Sequence, residues 1–133
     1  SCSVTIADEE IGSPVVTAPD VLIAMNQPSY DKYVGAVKPG GKLFVNASLV
    51  RADKARDDID VYLVPTAEVA AEVGNARTTN MVMLGAVVAH TGVVAFESAV
   101  EALKEAFGER RQHLVSINEQ AMALGGERAR SVR

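Results

Sequence analysis

Cysteine is almost missing from this sequence, and the one present, Cys2, cannot form an internal disulfide. The two histidines, His90 and His113, stand far apart, so no pair has the spacing of a metal site. Long apolar runs are missing as well. The longest, Met81 to Ala89, is only about half of the ~20 residues that a membrane span requires. Basic residues are not in excess: the formal net charge is −4, which argues against nucleic acid as a general partner. No Gly-x-Gly-x-x-Gly follows a strand-like run and no Walker sequence occurs, so nucleotide binding has no direct support. No stretch has the make-up of a signal peptide, and the expected compartment is the cytoplasm. Internal repeats, low-complexity tracts and linkers are absent too.

What remains is a globular composition, with 48% apolar and 23% charged residues. The 133 residues suit a single domain, 1–133, and a chain this long buries roughly two thirds of its unfolded surface. Its organising stretch is Asn75-Ala76-Arg77-Thr78-Thr79-Asn80 leading into Met81-Val82-Met83-Leu84-Gly85-Ala86-Val87-Val88-Ala89. Apolar side chains fall on every face of a helix there, which predicts burial on all sides. Gly85 in mid-helix costs on the order of 1 kcal/mol against alanine, so another group is expected to approach its backbone closely. Arg77 and Asn80 stand at the entrance, where they can satisfy the first N–H groups or hold an anion.

Along the chain, Cys2 to Ala7 alternates like a half-buried strand, and Asp8 to Pro14 is a turn-rich break. Val21-Leu22-Ile23-Ala24-Met25 reads as a strand covered on both faces. A helix from Pro28 to about Val37 follows, burying Tyr30, Tyr33, Val34 and Val37, and Lys38-Pro39-Gly40-Gly41 turns the chain back. Leu43-Phe44-Val45 and Val61-Tyr62-Leu63-Val64 are further strands, joined by the charged connection Arg51 to Asp58. Thr66 is a suitable N-cap for Ala67 to Val73, and Gly74 a suitable stop. Phe96, Ala99, Val100, Leu103 and Phe107 mark an amphipathic helix ended by Gly108. Leu114, Ile117, Ala121 and Leu124 mark a last helix, closed by Gly125-Gly126, and residues 127–133 form a charged, frayed tail. This order predicts an α/β fold: three layers, a largely parallel sheet with helices on both faces, Rossmann-like.

In such sheets ligands bind beyond the carboxyl ends of the strands. Asn26-Gln27, Asn46-Ala47-Ser48 and Pro65-Thr66 stand there, and with Arg77, Thr78, Thr79 and Asn80 they form a rim of amides, hydroxyls and one cation. A rim of that kind orients a polar ligand but supplies no strong base or nucleophile. Ser48 and Thr66 lack a histidine partner; His90 suits a helix end and His113 the solvent side of the last helix. The Asp8-Glu9-Glu10 and Asp57-Asp58 clusters read as solvated turns, and Cys2 as a buried or incidental thiol. No catalytic residue and no metal ligand is expected.

Several segments together carry a family resemblance. They are Ile6 to Pro14, Pro19 to Asn26, Val37-Lys38-Pro39-Gly40-Gly41, Val64 to Ala70, Gly74-Asn75-Ala76-Arg77, and Asn80-Met81-Val82-Met83-Leu84-Gly85-Ala86. The sequence resembles the gamma subunit, or gamma domain, of the 2-oxoacid:ferredoxin oxidoreductases, and Asn75 to Ala86 is the specific part. The resemblance implies an enzyme complex that oxidatively decarboxylates a 2-oxoacid, such as pyruvate or 2-oxoglutarate, to an acyl-CoA. Electrons pass through iron–sulfur clusters to ferredoxin. It implies that thiamine diphosphate and the clusters lie chiefly on partner subunits (alpha, beta and in some assemblies delta). The gamma unit then contributes assembly and the coenzyme A side of the site, and binds no cofactor alone. Asp8-Glu9-Glu10-Ile11-Gly12-Ser13-Pro14 looks most like 2-oxoglutarate-type members.

One departure stands out. Family members open with a strand, a Gly-x-Gly-Gly-Gln-Gly turn, a helix and an Arg-Gly-Gly segment, none of which these residues contain. The expectation is an N-terminally truncated unit with an open sheet edge or helix-binding face. The expected ligand contacts are Asn26, Asn46, Arg77, Thr79 and Asn80. The alternative left open is a stand-alone α/β module that binds a small ligand without catalysis.

Overall fold

The computed structural model describes residues 18–53 and 56–132. Three short apolar runs become parallel neighbours: β1 (Val21–Ala24), β2 (Lys42–Asn46) and β3 (Asp60–Val64). The register sets Val21 beside Lys42 and Lys42 beside Asp60. A fourth strand, β4 (Arg130–Ser131), lies antiparallel against β3 and completes the order β1-β2-β3-β4. β1 pairs with β2 alone, so its other edge carries no strand among the described residues. Expectations for Cys2 to Ala7 and Asp8 to Pro14 lie outside the described residues.

Because β2 is apolar at successive positions, both its faces are buried. Leu43 and Val45 join Tyr30, Val34, Val37, Val50 and Ile59 on one side. Phe44 joins Val64, Val69, Val82, Met83, Ala86 and Ala121 on the other. The first layer is α1 (Gln27–Tyr33), which continues as a 3-10 turn at Val34–Ala36. Tyr33 is only half-buried, contrary to its spacing. The chain tightens at Val34, and only Tyr30, Val34 and Val37 stay on the sheet side.

The opposite layer holds α2 (Thr66–Val73), α3 (Thr79–Thr91) and α5 (Val115–Arg128). Beyond them α4 (Phe96–Phe107) packs Leu103 onto Val115 and Met122, as its three- and four-residue apolar spacing predicts. The expected largely parallel sheet with helices on both faces is thus the observed architecture, to which the antiparallel β4 is an unexpected addition.

Gly85 has the close neighbour its position predicts: a Cβ there would lie 1.9 Å from the Met122 carbonyl oxygen. Gly125 has the reciprocal role, since its Cβ would lie 2.0 Å from the Val82 carbonyl oxygen. This corrects the reading of Gly125-Gly126 as a helix stop. α5 runs through both glycines to Arg128, because their missing side chains admit the α3 backbone. Burial of α3 on all sides also needs correction. Asn80 and Leu84, one turn apart, face outward, with Leu84 38% exposed. The tail is likewise ordered up to Val132. Arg128 grips Glu72 with two hydrogen bonds of 2.8 and 2.9 Å, which carries Arg130 and Ser131 onto Leu63 and Tyr62.

Candidate functional site

α3 ends at Thr91, which with Val21, Lys42 and Val93 lines a depression of about 270 Å³ at the amino ends of β1 and β2. The helix therefore runs against the strands and begins toward their carboxyl ends. That direction brings Arg77, Thr79 and Asn80 to the edge where β1 gives way to Asn26 and β2 ends in Asn46. No hydrogen bond among the described residues joins the two groups.

At the strand ends the polar side chains are held locally. Asn46 is buried: its amide donates to the Met25 carbonyl at 3.2 Å, and its Oδ1 accepts from the Thr66 hydroxyl at 2.6 Å and the Ser48 N–H at 3.2 Å. Ser48 Oγ then accepts the Ala67 N–H at 3.0 Å, closing the amino end of α2 from the neighbouring loop. Thr66 is thus not the N-cap that its position predicts. It is the first residue of α2, and its hydroxyl is drawn to the buried Asn46 amide instead. Asn26 is exposed and caps α1, accepting the Ser29 N–H at 2.9 Å. Gln27 reaches across to the next loop, accepting the Arg51 N–H at 2.7 Å.

Ahead of α3 the capping side chain is Asn75, a role not expected from the sequence. Its Oδ1 accepts the Arg77 N–H at 2.9 Å and opens a 3-10 turn, Ala76–Thr78, that leads into the helix. Its carbonyl accepts the Thr78 hydroxyl at 2.7 Å. Asn75 thus meets the first N–H groups of the 3-10 turn, while α3 itself begins after Thr78 with no side-chain cap from Arg77 or Asn80. The signal for it was available: an asparagine directly after the left-handed Gly74 and ahead of an apolar helix. Arg77 and Asn80 remain exposed, Thr79 half-exposed, and none of these side chains bonds to a described residue.

Elsewhere among the described residues several titratable groups hold the fold together. His90 Nε2 lies 3.0 Å from the Gly126 carbonyl oxygen, and its ring leans on Tyr62 with centroids 4.7 Å apart. His113 is exposed in a 3-10 turn, Glu109–Leu114. Asp58 holds the Arg56 fork at 2.6 and 2.9 Å, while Arg56 also ties down the Val34 and Val37 carbonyls. A hydrogen bond from Lys42 to Asp60 keeps the ammonium charged and raises its pKa above the ordinary lysine value. At the start of α3 the edge offers the free Arg77 guanidinium with the Thr79 hydroxyl and the Asn80 amide on the same segment, a donor set for an anion.

A model of the pyruvate ferredoxin/flavodoxin oxidoreductase family matches residues 1–128. Ketoisovalerate oxidoreductase subunit VorA of Methanothermobacter marburgensis is 35% identical over 98% of this chain, which spans 27% of that relative. 2-Oxoglutarate synthase subunit KorC of Methanocaldococcus jannaschii is 34% identical over 86% of this chain and 64% of its own length. Among solved structures, the keto/oxoacid ferredoxin oxidoreductase gamma subunit of Geobacter sulfurreducens superposes with a TM-score of 0.71 at 33% identity. That match covers 86% of this chain and 64% of the other. The 2-oxoglutarate:ferredoxin oxidoreductase of Magnetococcus marinus shares the fold, with a TM-score of 0.72 at 24% identity over 81% of this chain and 19% of that one. This chain thus spans between 19% and 64% of the length of these proteins. It belongs to the pyruvate ferredoxin/flavodoxin oxidoreductase family.

Proposed function

We propose that this chain is gamma-type sequence of a 2-oxoacid:ferredoxin oxidoreductase complex, with 2-oxoglutarate as the substrate and ferredoxin as the acceptor. Its part is assembly and the coenzyme A side of the site. The observation that carries the reading is Arg77, a free guanidinium at the carboxyl edge, within the segment that marks the family resemblance. The donor set there suits a phosphate: Arg77 for the fork, Thr79 and Asn80 for single hydrogen bonds. Coenzyme A, when bound, supplies the thiol that takes up the acyl group. Asn26 and Asn46 act one step removed, by fixing the strand-end loops that border the site. The family resemblance implies that the clusters and thiamine diphosphate lie chiefly on the alpha and beta partners, with delta in some assemblies, and the single cysteine of this chain fits that division.

The test is steady-state turnover of the whole complex with 2-oxoglutarate, coenzyme A and a viologen acceptor. Arg77→Ala is expected to raise the KM for coenzyme A by about tenfold, the loss of one charge-assisted phosphate contact, with kcat nearly unchanged. An unchanged KM refutes the Arg77 assignment. Wild-type protein that carries no thiamine- or cluster-bearing subunit refutes the functional reading as a whole, in favour of a stand-alone binding module.

A further inference from the structure

Residues 74–78 carry the chain from α2 into α3, and one side chain directs the passage. Gly74 is left-handed, at φ 82°, and donates its N–H to the Ala71 carbonyl at 3.1 Å, which ends α2. Asn75 is extended, and its own N–H returns to the Ala70 carbonyl at 3.0 Å. Its carbonyl accepts both the N–H and the hydroxyl of Thr78, at 3.2 and 2.7 Å, and Thr78 is buried. The backbone before and after Arg77 is therefore tied into the fold. Between these ties, the Arg77 N–H donates to Asn75 Oδ1 at 2.9 Å. Asn75 is half-buried, and this bond is the one its side chain makes to a described residue. Asn46 joins three segments; the Asn75 side chain serves one, the segment that carries the free guanidinium.

An arginine that grips a phosphate loses the freedom of its own long side chain on binding. If its backbone must be ordered at the same moment, affinity falls further. Asn75 removes that second loss in advance, because holding the Arg77 N–H fixes the point and direction from which the guanidinium leaves the chain. Resting on the reading of Arg77 as a phosphate contact, we propose that Asn75 is a positioning residue for coenzyme A. It acts through Arg77 and touches no ligand itself.

The experiment uses the whole complex of natural-length subunits, as wild type, Asn75→Ala, Asn75→Ser, Arg77→Ala and the double variant Asn75→Ala/Arg77→Ala. Titration calorimetry with coenzyme A, without 2-oxoacid, gives Kd, and turnover gives KM and kcat. Asn75→Ala is expected to weaken Kd and raise KM for coenzyme A by about threefold, with kcat nearly unchanged. Asn75→Ser keeps a capping oxygen and should restore both constants. With Arg77 already removed, Asn75→Ala should change neither constant further, since the group it positions is gone. Should Asn75→Ala fail to assemble, Asn75→Gly, which a capping position tolerates better, decides by the same readings. An Asn75→Ala complex with wild-type Kd and KM, whatever its melting midpoint, overturns the positioning role and leaves the functional reading standing. So does an undiminished effect in the Arg77→Ala background, or a failure of Asn75→Ser to restore binding, because either means that the Asn75 amide meets the ligand directly. An Arg77→Ala complex that binds coenzyme A as tightly as wild type overturns the functional reading of Arg77, and the role of Asn75 with it.

Discussion

Replacing Gly85 by alanine sets two effects against each other. Helix propensity favours alanine by about 1 kcal/mol. Packing opposes it, because the new methyl would stand 1.9 Å from the Met122 carbonyl oxygen, where real Cβ atoms essentially never come within 3.0 Å. The obstacle is backbone, so no rotamer change relieves it, and α5 must retreat from α3 by about 1 Å. That retreat also opens the contact of Gly125 with Val82 and loosens Ala121 and Met122 in their clusters. Overpacking at the upper end of the usual range, about 3 kcal/mol, less the propensity gain, leaves a net loss near 2 kcal/mol. For a domain of this size that is a fall in Tm of roughly 6–10 °C. Urea denaturation and calorimetry of the natural-length protein measure it. Gly35→Ala is the control, since its methyl would meet nothing within 4 Å and should be near neutral. The double variant Gly85→Ala/Gly125→Ala should cost clearly less than the two single losses together, because one displacement relieves both clashes. A Gly85→Ala protein as stable as wild type would refute the close-crossing account.

Two further outcomes follow from the hydrogen bonds. Asn46→Ala leaves the buried Thr66 hydroxyl and, in half-buried surroundings, the Ser48 N–H and the Met25 carbonyl short of a partner, and should destabilise by about 2–3 kcal/mol in chemical denaturation. A loss below about 0.5 kcal/mol would mean that water replaces the amide. Glu72 is held below the usual carboxylate pKa, first by its hydrogen bond to Arg128. Its folded pKa is depressed, so its stabilising share is present above the unfolded value near 4.3 and is lost as pH falls through the folded one. Corrected for the intrinsic rate, which itself falls on acidification, hydrogen exchange at Val132, whose N–H donates to the Val61 carbonyl at 3.0 Å, should therefore quicken below about pH 4.5. In Glu72→Gln it should already be fast at neutral pH, and equal rates in the two proteins there would refute the clasp.

Much of this fold is legible along the chain because its signals are local. The three apolar runs at Val21, Leu43 and Val61 and the left-handed Gly74 carry their meaning in a few neighbours. The spacing of α4 does the same. Gly85 is legible too, because an apolar helix has no local use for a glycine. Gly125 and Gly126 misled for the matching reason: at the end of a helix a glycine signals a stop, and only the partner helix reveals a crossing. The candidate site divides along the same line. That Asn26, Asn46 and Arg77 reach one edge follows from topology. That Ser48 caps α2 while Thr66 turns to Asn46 depends on two loops 20 residues apart, and no spacing rule encodes it. β4 is only two residues long, below any periodic signal.

That short strand bears on how the chain reaches its native state. The parallel pairs join segments about twenty residues apart, each closed by a modest crossover, and can form early. β4 instead joins Leu63 to Arg130 across about half the sequence, and little apolar burial accompanies it because both its residues are exposed. Its contacts should be absent from the transition state, so weakening the clasp would leave the refolding rate unchanged and hasten unfolding alone. The C-terminal segment then acts as a latch set after folding, one that governs how long the native molecule persists rather than whether it forms.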